Sequence, residues 1–306
     1  SPDGTGKIVK GLMEKYKNLG ISEGERKGLG AAYIRAMGYA IEKLGADIVV
    51  SIDADFQFDP HDLPKFIDKI DQGFDMVIQT RYSGGGSIPE NWPIQRKIFS
   101  IVANLFVRTV FMRFSIHDWT GGFRAIRKEV FLKVRPEMTR YNGYIFQIAF
   151  LHRAVKYGFK IGEVPLHFSD RTLGNSKIAT VGYITDVAKF VLLTRIIEVI
   201  KGSFGKFLVV GGLGFIINAV LYEVLVRSTN LPIAICNIIA AQFAVFSNYN
   251  FNNLWTFKKE QSKSILSYFF KMIQFYLSSN TGVIFIQSGT IQLGDMFFGE
   301  ELYRLY

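Results

Sequence analysis

The apolar positions change period along the chain. Between residues 47 and 168, short apolar runs alternate with amphipathic stretches, whereas from 204 onward the apolar stretches are long and nearly unbroken. "DIVVSID" predicts a strand over 47–53. Its Ile48, Val49, Val50 and Ile52 form an almost continuous apolar run, as in a strand covered on both faces. "DMVIQT" (75–80) and "IGEVPLHF" (161–168) read the same way, with a strand–helix pair around 122–133. Helical spacing is read near 5–17, 29–44, 60–71, 93–113 and 144–157, and Pro60 suits a first helical turn. The alternation predicts an α/β domain over 1–180 with a mostly parallel sheet.

Three long apolar stretches follow, at about 204–226, 231–257 and 265–293, the last interrupted by Lys271 and Gln274. Each is long enough to span a hydrocarbon core of ~30 Å, so 203–306 is read as an α-helical transmembrane domain with three spans. Lys201 and Lys206 precede the first span, and Lys258, Lys259 and Lys263 lie between the second and third. The opposite linker offers only Arg227. The positive-inside rule then places residues 1–200 in the cytoplasm and the protein in the cell membrane. Gly211, Gly212 and Gly214 would let another helix approach the first span closely. Between the two halves, 181–202 has apolar residues at helical spacing and basic residues at 189, 195 and 201, as in an amphipathic helix lying at the interface.

Composition sharpens this picture. The chain has 306 residues, 49% of them hydrophobic and 20% charged, which is too apolar for an ordinary soluble enzyme. Its formal charge of +10 suits contact with phosphates and an anionic bilayer surface, with no nucleic-acid partner expected. The lone cysteine, Cys236, falls inside an apolar stretch and excludes an intramolecular disulfide.

The candidate chemistry lies at the end of the first predicted strand, where open α/β folds place their ligands. Asp53, Asp55 and Gln57 alternate, so in extended backbone they point the same way. Two carboxylates and an amide oxygen are hard ligands suited to Mg²⁺ or Mn²⁺, with phosphate and water completing the shell. The glycine-containing "KGLGAAY", "YSGGGS" and "HDWTGGF" are weak signals individually; the first lacks both the Walker pattern and a full dinucleotide fingerprint. Arg81 and Arg96 have the planar fork that suits phosphate. His61, His152 and His167 are read as structural, and His117 is the one histidine beside a candidate carboxylate.

"SPDGTGK", "KGLGAAY", "DADFQFDP", "TRYSGGGS…W…RKIFS", "DWTGGFRA" and "RTLGNSK" occur in that order. Together they resemble the polyprenyl-phosphate hexosyltransferases of glycosyltransferase family two, nearest the dolichyl-phosphate mannose synthases among them. Residues 204–293, with "SNYNFNNLWTF", look like the multi-span membrane domain fused to prokaryotic members. The resemblance implies a GT-A (Rossmann-like) fold, a nucleotide-sugar donor, GDP-mannose above all, and a dolichyl or polyprenyl phosphate acceptor. By position it implies that Asp53, Ala54 and Asp55 meet the donor, while Asp53, Asp55 and Gln57 hold the metal. Arg81 would touch phosphate near the transferred sugar, and Arg96 and Ser100 the acceptor phosphate. Arg171, Ser176 and Lys177 would belong to a loop closing over donor and acceptor, with Ser176 toward the acceptor. Asp118 and Trp119 would line the sugar pocket.

Compared with that pattern, the sequence starts at the serine of an acidic turn, so the first strands and one nucleotide-binding aspartate are expected to be missing from it. The family's membrane domain normally has four spans, and three are read here. A lipid phosphate is already anionic, so no dedicated base is expected. Glucose transfer from UDP-glucose is the nearest alternative, and a non-catalytic membrane scaffold or lipid carrier is the alternative from another class. A processive polysaccharide synthase is disfavoured, because no Q-x-x-R-W run is present.

Overall fold

The structure is a computed structural model that describes residues 4–25, 27–55, 57–141, 143, 145–167, 181–261 and 264–298. It divides into two compact units, Ser1–Arg195 and Ile196–Tyr306.

In the first unit, α1 (Thr5–Lys15) and α2 (Leu29–Leu44) precede a four-stranded sheet. Its strands are β1 (Ile48–Ser51), β2 (Met76–Thr80), β3 (Arg124–Arg127) and β4 (Ile161–Pro165), in the spatial order β1-β3-β2-β4. The sheet is mixed, which corrects the mostly parallel reading: β3 is antiparallel to both β1 and β2, and only β2 and β4 run parallel. The reason lies in the glycine turn before β3. Ser51, the last residue of β1, pairs with Arg124, the first of β3, so the chain enters β3 where β1 ends and must run back. A second correction concerns β1, which lies at the sheet edge and alternates in burial. Val50 is 36% exposed while Val49 is buried, so the strand is not covered on both faces.

Helices cover both sides of the sheet. On one side α2, α4 (Ile94–Phe111), α5 (Lys128–Val134) and α6 (Ile145–Lys156) bury Met37, Val107, Phe111, Phe131, Phe146 and Phe150 against Met76, Ile78 and Ile126. On the other, α3 (Leu63–Asp71) sets Phe66 and Ile70 on Val77, Phe123, Ala125 and Val164. Each fully buried phenylalanine contributes about 1.5–3 kcal/mol. Val187 and Val191 of α7 (Val181–Lys201) join the first cluster, leaving Ile184, Leu192 and Leu193 exposed.

The second unit comprises α8 (Ser203–Ser228), α9 (Ile233–Phe251), a π-helical segment (Asn252–Thr256) and α10 (Ile265–Phe298). All three apolar stretches are therefore helical. Among the described residues, α8 is the one helix both long and apolar enough to cross a membrane. Of Gly211, Gly212 and Gly214, it is Gly214 that makes the close approach to a neighbouring helix. A Cβ there would meet the Asn248 side chain of α9 at 2.2 Å, whereas Gly211 and Gly212 face open space. Cys236 is buried.

Candidate active site

β1 ends at Ser51, and the chain then delivers Asp53 and Asp55 to the edge of the sheet with their surfaces accessible, while Gln57 is buried. Tyr33 of α2 donates its hydroxyl to Asp53 Oδ1 at 3.4 Å, and the Gln57 N–H donates to Asp55 Oδ1 at 3.3 Å. Burial first, and then the Asp53 charge, push the Tyr33 phenol up to about 12, so it remains a protonated donor at neutral pH. Gly122 packs against the far side of Asp53: a Cβ there would stand 3.2 Å from Oδ2. Ser51 Oγ in turn donates to the Gly122 carbonyl at 2.8 Å. The carboxylates of Asp53 and Asp55 are hard oxygen donors of the kind a divalent ion takes. Among the described residues, no group of three or more His, Cys, Asp or Glu side chains is gathered.

A second network starts where β2 ends. Arg81 forms a two-pronged ion pair with Asp118, Nε to Oδ2 at 2.7 Å and Nη2 to Oδ1 at 2.9 Å, and Nη2 also donates to Thr120 Oγ1 at 2.7 Å. Burial alone would raise the Asp118 carboxyl. The Arg81 charge and hydrogen bonds, with those from Thr120, outweigh it and hold the group below its ordinary value. The next residue, Tyr82, shares a 2.5 Å hydrogen bond with Ser100 Oγ on α4. Asn104, one turn further along that helix, donates to the Ser100 carbonyl and accepts from the Trp119 N–H at 2.8 Å. Asp118 and Trp119 are both fully buried, so they lie beneath the site as its support and not on an open pocket wall. Arg96 is half-exposed, its guanidinium 3.7 Å above the Trp92 ring. His117 gives both its backbone N–H and its ring Nδ1 to the Glu163 carboxylate, at 2.6 and 2.7 Å.

The turn 118–122 joins these two networks, since Asp118 holds Arg81 while Gly122 touches Asp53. Arg81, Ser100, Asp118 and Trp119 thus share one network, whereas positions 54, 55 and 57 lie in turn and bend and not in the extended backbone expected, leaving Asp53 exposed, Asp55 half-buried and Gln57 buried. Ala54 is exposed. Arg171, Ser176 and Lys177 lie outside the described residues. Tyr33, Tyr82, Asn104, Thr120 and Arg124 have no role in the sequence reading. Of these only Asn104 lies outside the quoted motifs: Tyr33 ends "KGLGAAY", Tyr82 opens "YSGGGS", and Thr120 and Arg124 lie in "DWTGGFRA".

α4 also has a second face. At 100° per residue, Arg96, Ser100, Asn104, Val107 and Phe111 fall within an arc of about 80°. Ile94, Ile98, Ile101, Val102 and Leu105 point the opposite way and are 47–68% exposed. The sequence reading assigned an interfacial face to 181–202 alone.

Residues 1–135 match the family described as glycosyl transferase family 2, and 206–301 match the GtrA/DPMS transmembrane domain. A dolichol-phosphate mannosyltransferase of Pyrococcus furiosus is 31% identical over 93% of this chain and 77% of its own length. The chain belongs to glycosyl transferase family 2. A polyprenol monophosphomannose synthase of Mycolicibacterium smegmatis is 36% identical over 58% of this chain and 67% of its own. Among solved structures, glucosyl-3-phosphoglycerate synthase from Mycobacterium tuberculosis, with Mn²⁺, UDP and glucosyl-3-phosphoglycerate, gives a TM-score of 0.40 at 18% identity. That match covers 60% of this chain and 58% of the other. The chain is a glycosyltransferase with a GT-A-type α/β domain and a membrane domain.

Proposed function

We propose that this glycosyltransferase moves mannose from GDP-mannose to a dolichyl or polyprenyl phosphate, with inversion, at the cytoplasmic face of the cell membrane. The observation that carries the proposal is the two-faced α4. One helix turns Arg96 and Ser100 to one side and an apolar stripe to the other, as an acceptor with a charged head and a hydrocarbon tail requires. The names of the two relatives and the +10 charge agree with it.

The acceptor phosphate oxygen attacks the anomeric carbon as the bond to the nucleoside diphosphate breaks, through an oxocarbenium-like state. Asp53, Asp55 and the Gln57 amide would hold Mg²⁺ or Mn²⁺, which supplies positive charge to the departing diphosphate. Arg96, stacked on Trp92, and Ser100, tethered to Tyr82, orient the attacking phosphate. Arg81 works through Asp118, fixing the turn between the two groups. Arg171, Ser176 and Lys177 are assigned to closing over donor and acceptor.

The test varies donor and acceptor separately in detergent. Arg96→Ala should raise KM for a polyprenyl phosphate about tenfold, as for one lost charge-assisted contact, with the donor KM unchanged. Asp55→Ala should cut kcat about 10²-fold or more. If Arg96→Ala raised the GDP-mannose KM instead, the acceptor assignment would fail.

A further inference from the structure

Arg124 is 1% exposed, and no carboxylate hydrogen-bonds to it among the described residues. A buried charge is costly unless something specific satisfies it. Here three backbone carbonyls do. Nε donates to Gly121 O at 2.7 Å, Nη1 to Gln147 O on α6 at 2.8 Å, and Nη2 to Trp119 O at 3.2 Å. Burial lowers the guanidinium to about 10, so it is still charged at neutral pH. Only a planar fork reaches three acceptors spread this way; an ammonium is a point donor.

Two of those carbonyls belong to the turn that connects the two halves of the site. Its other contacts leave little play. Gly122 abuts Asp53, the Gly122 carbonyl is held by Ser51, and a Cβ on Gly121 would stand 2.6 Å from the Gln79 side chain. Through its backbone, Arg124 is paired with Ser51, the last residue of β1, on one side and with Ile78, in the middle of β2, on the other. We propose that Arg124 is a positioning residue, clamping the 118–122 turn to α6 and so setting where Asp53 stands. This rests on the functional reading above, in which Asp53 holds a divalent ion. Displacing an outer partner of a metal ligand typically costs about 10–100-fold in affinity or activity.

The experiment uses the full chain in detergent and measures Mn²⁺ binding in the presence of GDP by electron paramagnetic resonance. Thermal unfolding and transfer kinetics are recorded alongside. Arg124→Lys keeps the charge and loses the fork. Its Mn²⁺ affinity should fall about tenfold or more, with kcat falling in step. Gly122→Ala is the second variant, needed if Arg124→Lys does not fold. Its backbone lies outside the positive-φ region, and the added methyl presses directly on Asp53. It should also weaken Mn²⁺ by about tenfold at little change in Tm. Variants that lose stability while the folded fraction keeps wild-type Mn²⁺ affinity would show Arg124 to be merely structural and overturn the proposal. So would a Gly122→Ala protein that binds Mn²⁺ as wild type does. A wild-type chain that binds no Mn²⁺ with GDP would overturn the metal reading itself, and the proposal with it.

Discussion

Asp118 has no exposed surface, yet its carboxyl is held below the ordinary range by Arg81 and Thr120 against the opposing effect of burial. A depressed folded value means that the ionised pair stabilises the fold fully above the unfolded carboxylate value, about 3.9. That contribution is lost as pH falls through the lower folded value. Asp118→Asn leaves the Arg81 guanidinium, itself 9% exposed, buried without its counter-charge. Breaking one partner of such a pair costs about 3–5 kcal/mol. Chemical denaturation at pH 7 should show that loss, and the gap to wild type should narrow at acid pH. A gap unchanged with pH would mean that the carboxylate charge contributes little. None of this pairing was legible in the sequence. Arg81 and Asp118 are 37 positions apart, and each was read as meeting ligand because nothing local indicates that they meet each other.

At the scale of elements, periodicity located nearly every helix and strand of the catalytic unit within a few residues. It failed on direction and environment. β3 reads as one more short strand, and only the placement of the Gly121–Gly122 turn makes it run backward between β1 and β2. β1 reads as doubly covered, because an apolar run does not reveal that one edge and one face are open. α4 was read simply as a long helix, because its stripe of isoleucines looks the same whether it meets core or lipid. The structure leaves that stripe exposed, which makes a direct prediction. Ile98→Asp with Leu105→Asp should lower transfer to a polyprenyl phosphate embedded in vesicles about tenfold, the effect of roughly 1.4 kcal/mol of lost interfacial binding. Transfer to a short, water-soluble prenyl phosphate should change little. Equal losses on both acceptors would mean that α4 packs against protein and not lipid. The polar-aromatic "SNYNFNNLWTF" behaves similarly. Its composition marked it as unusual, but only the structure shows it opening into a π-helical segment, with Asn248 seated on Gly214 of α8.

For the molecule as a whole, the change from alternating short runs to long apolar stretches was read as a division at 1–180, 181–202 and 203–306, and the chain forms two compact units, Ser1–Arg195 and Ile196–Tyr306. The DAD-Q residues follow the end of β1, where a strand-end site was expected, and their assignment to a metal belongs to the proposal above. The turn that supports them was not legible, because its partners come from β1, β2, α4 and α6. The reaction proposed for the DAD-Q residues is open to a direct test. Transfer of radiolabelled mannose from GDP-mannose to a polyprenyl phosphate should be measured with the full chain in detergent, with Mn²⁺, with Mg²⁺ and with chelator, and with UDP-glucose in parallel. Mannosyl lipid should form only with a divalent ion and disappear in Asp55→Ala, as the proposed reaction requires. Product undiminished by chelator, or product from UDP-glucose alone, would contradict it.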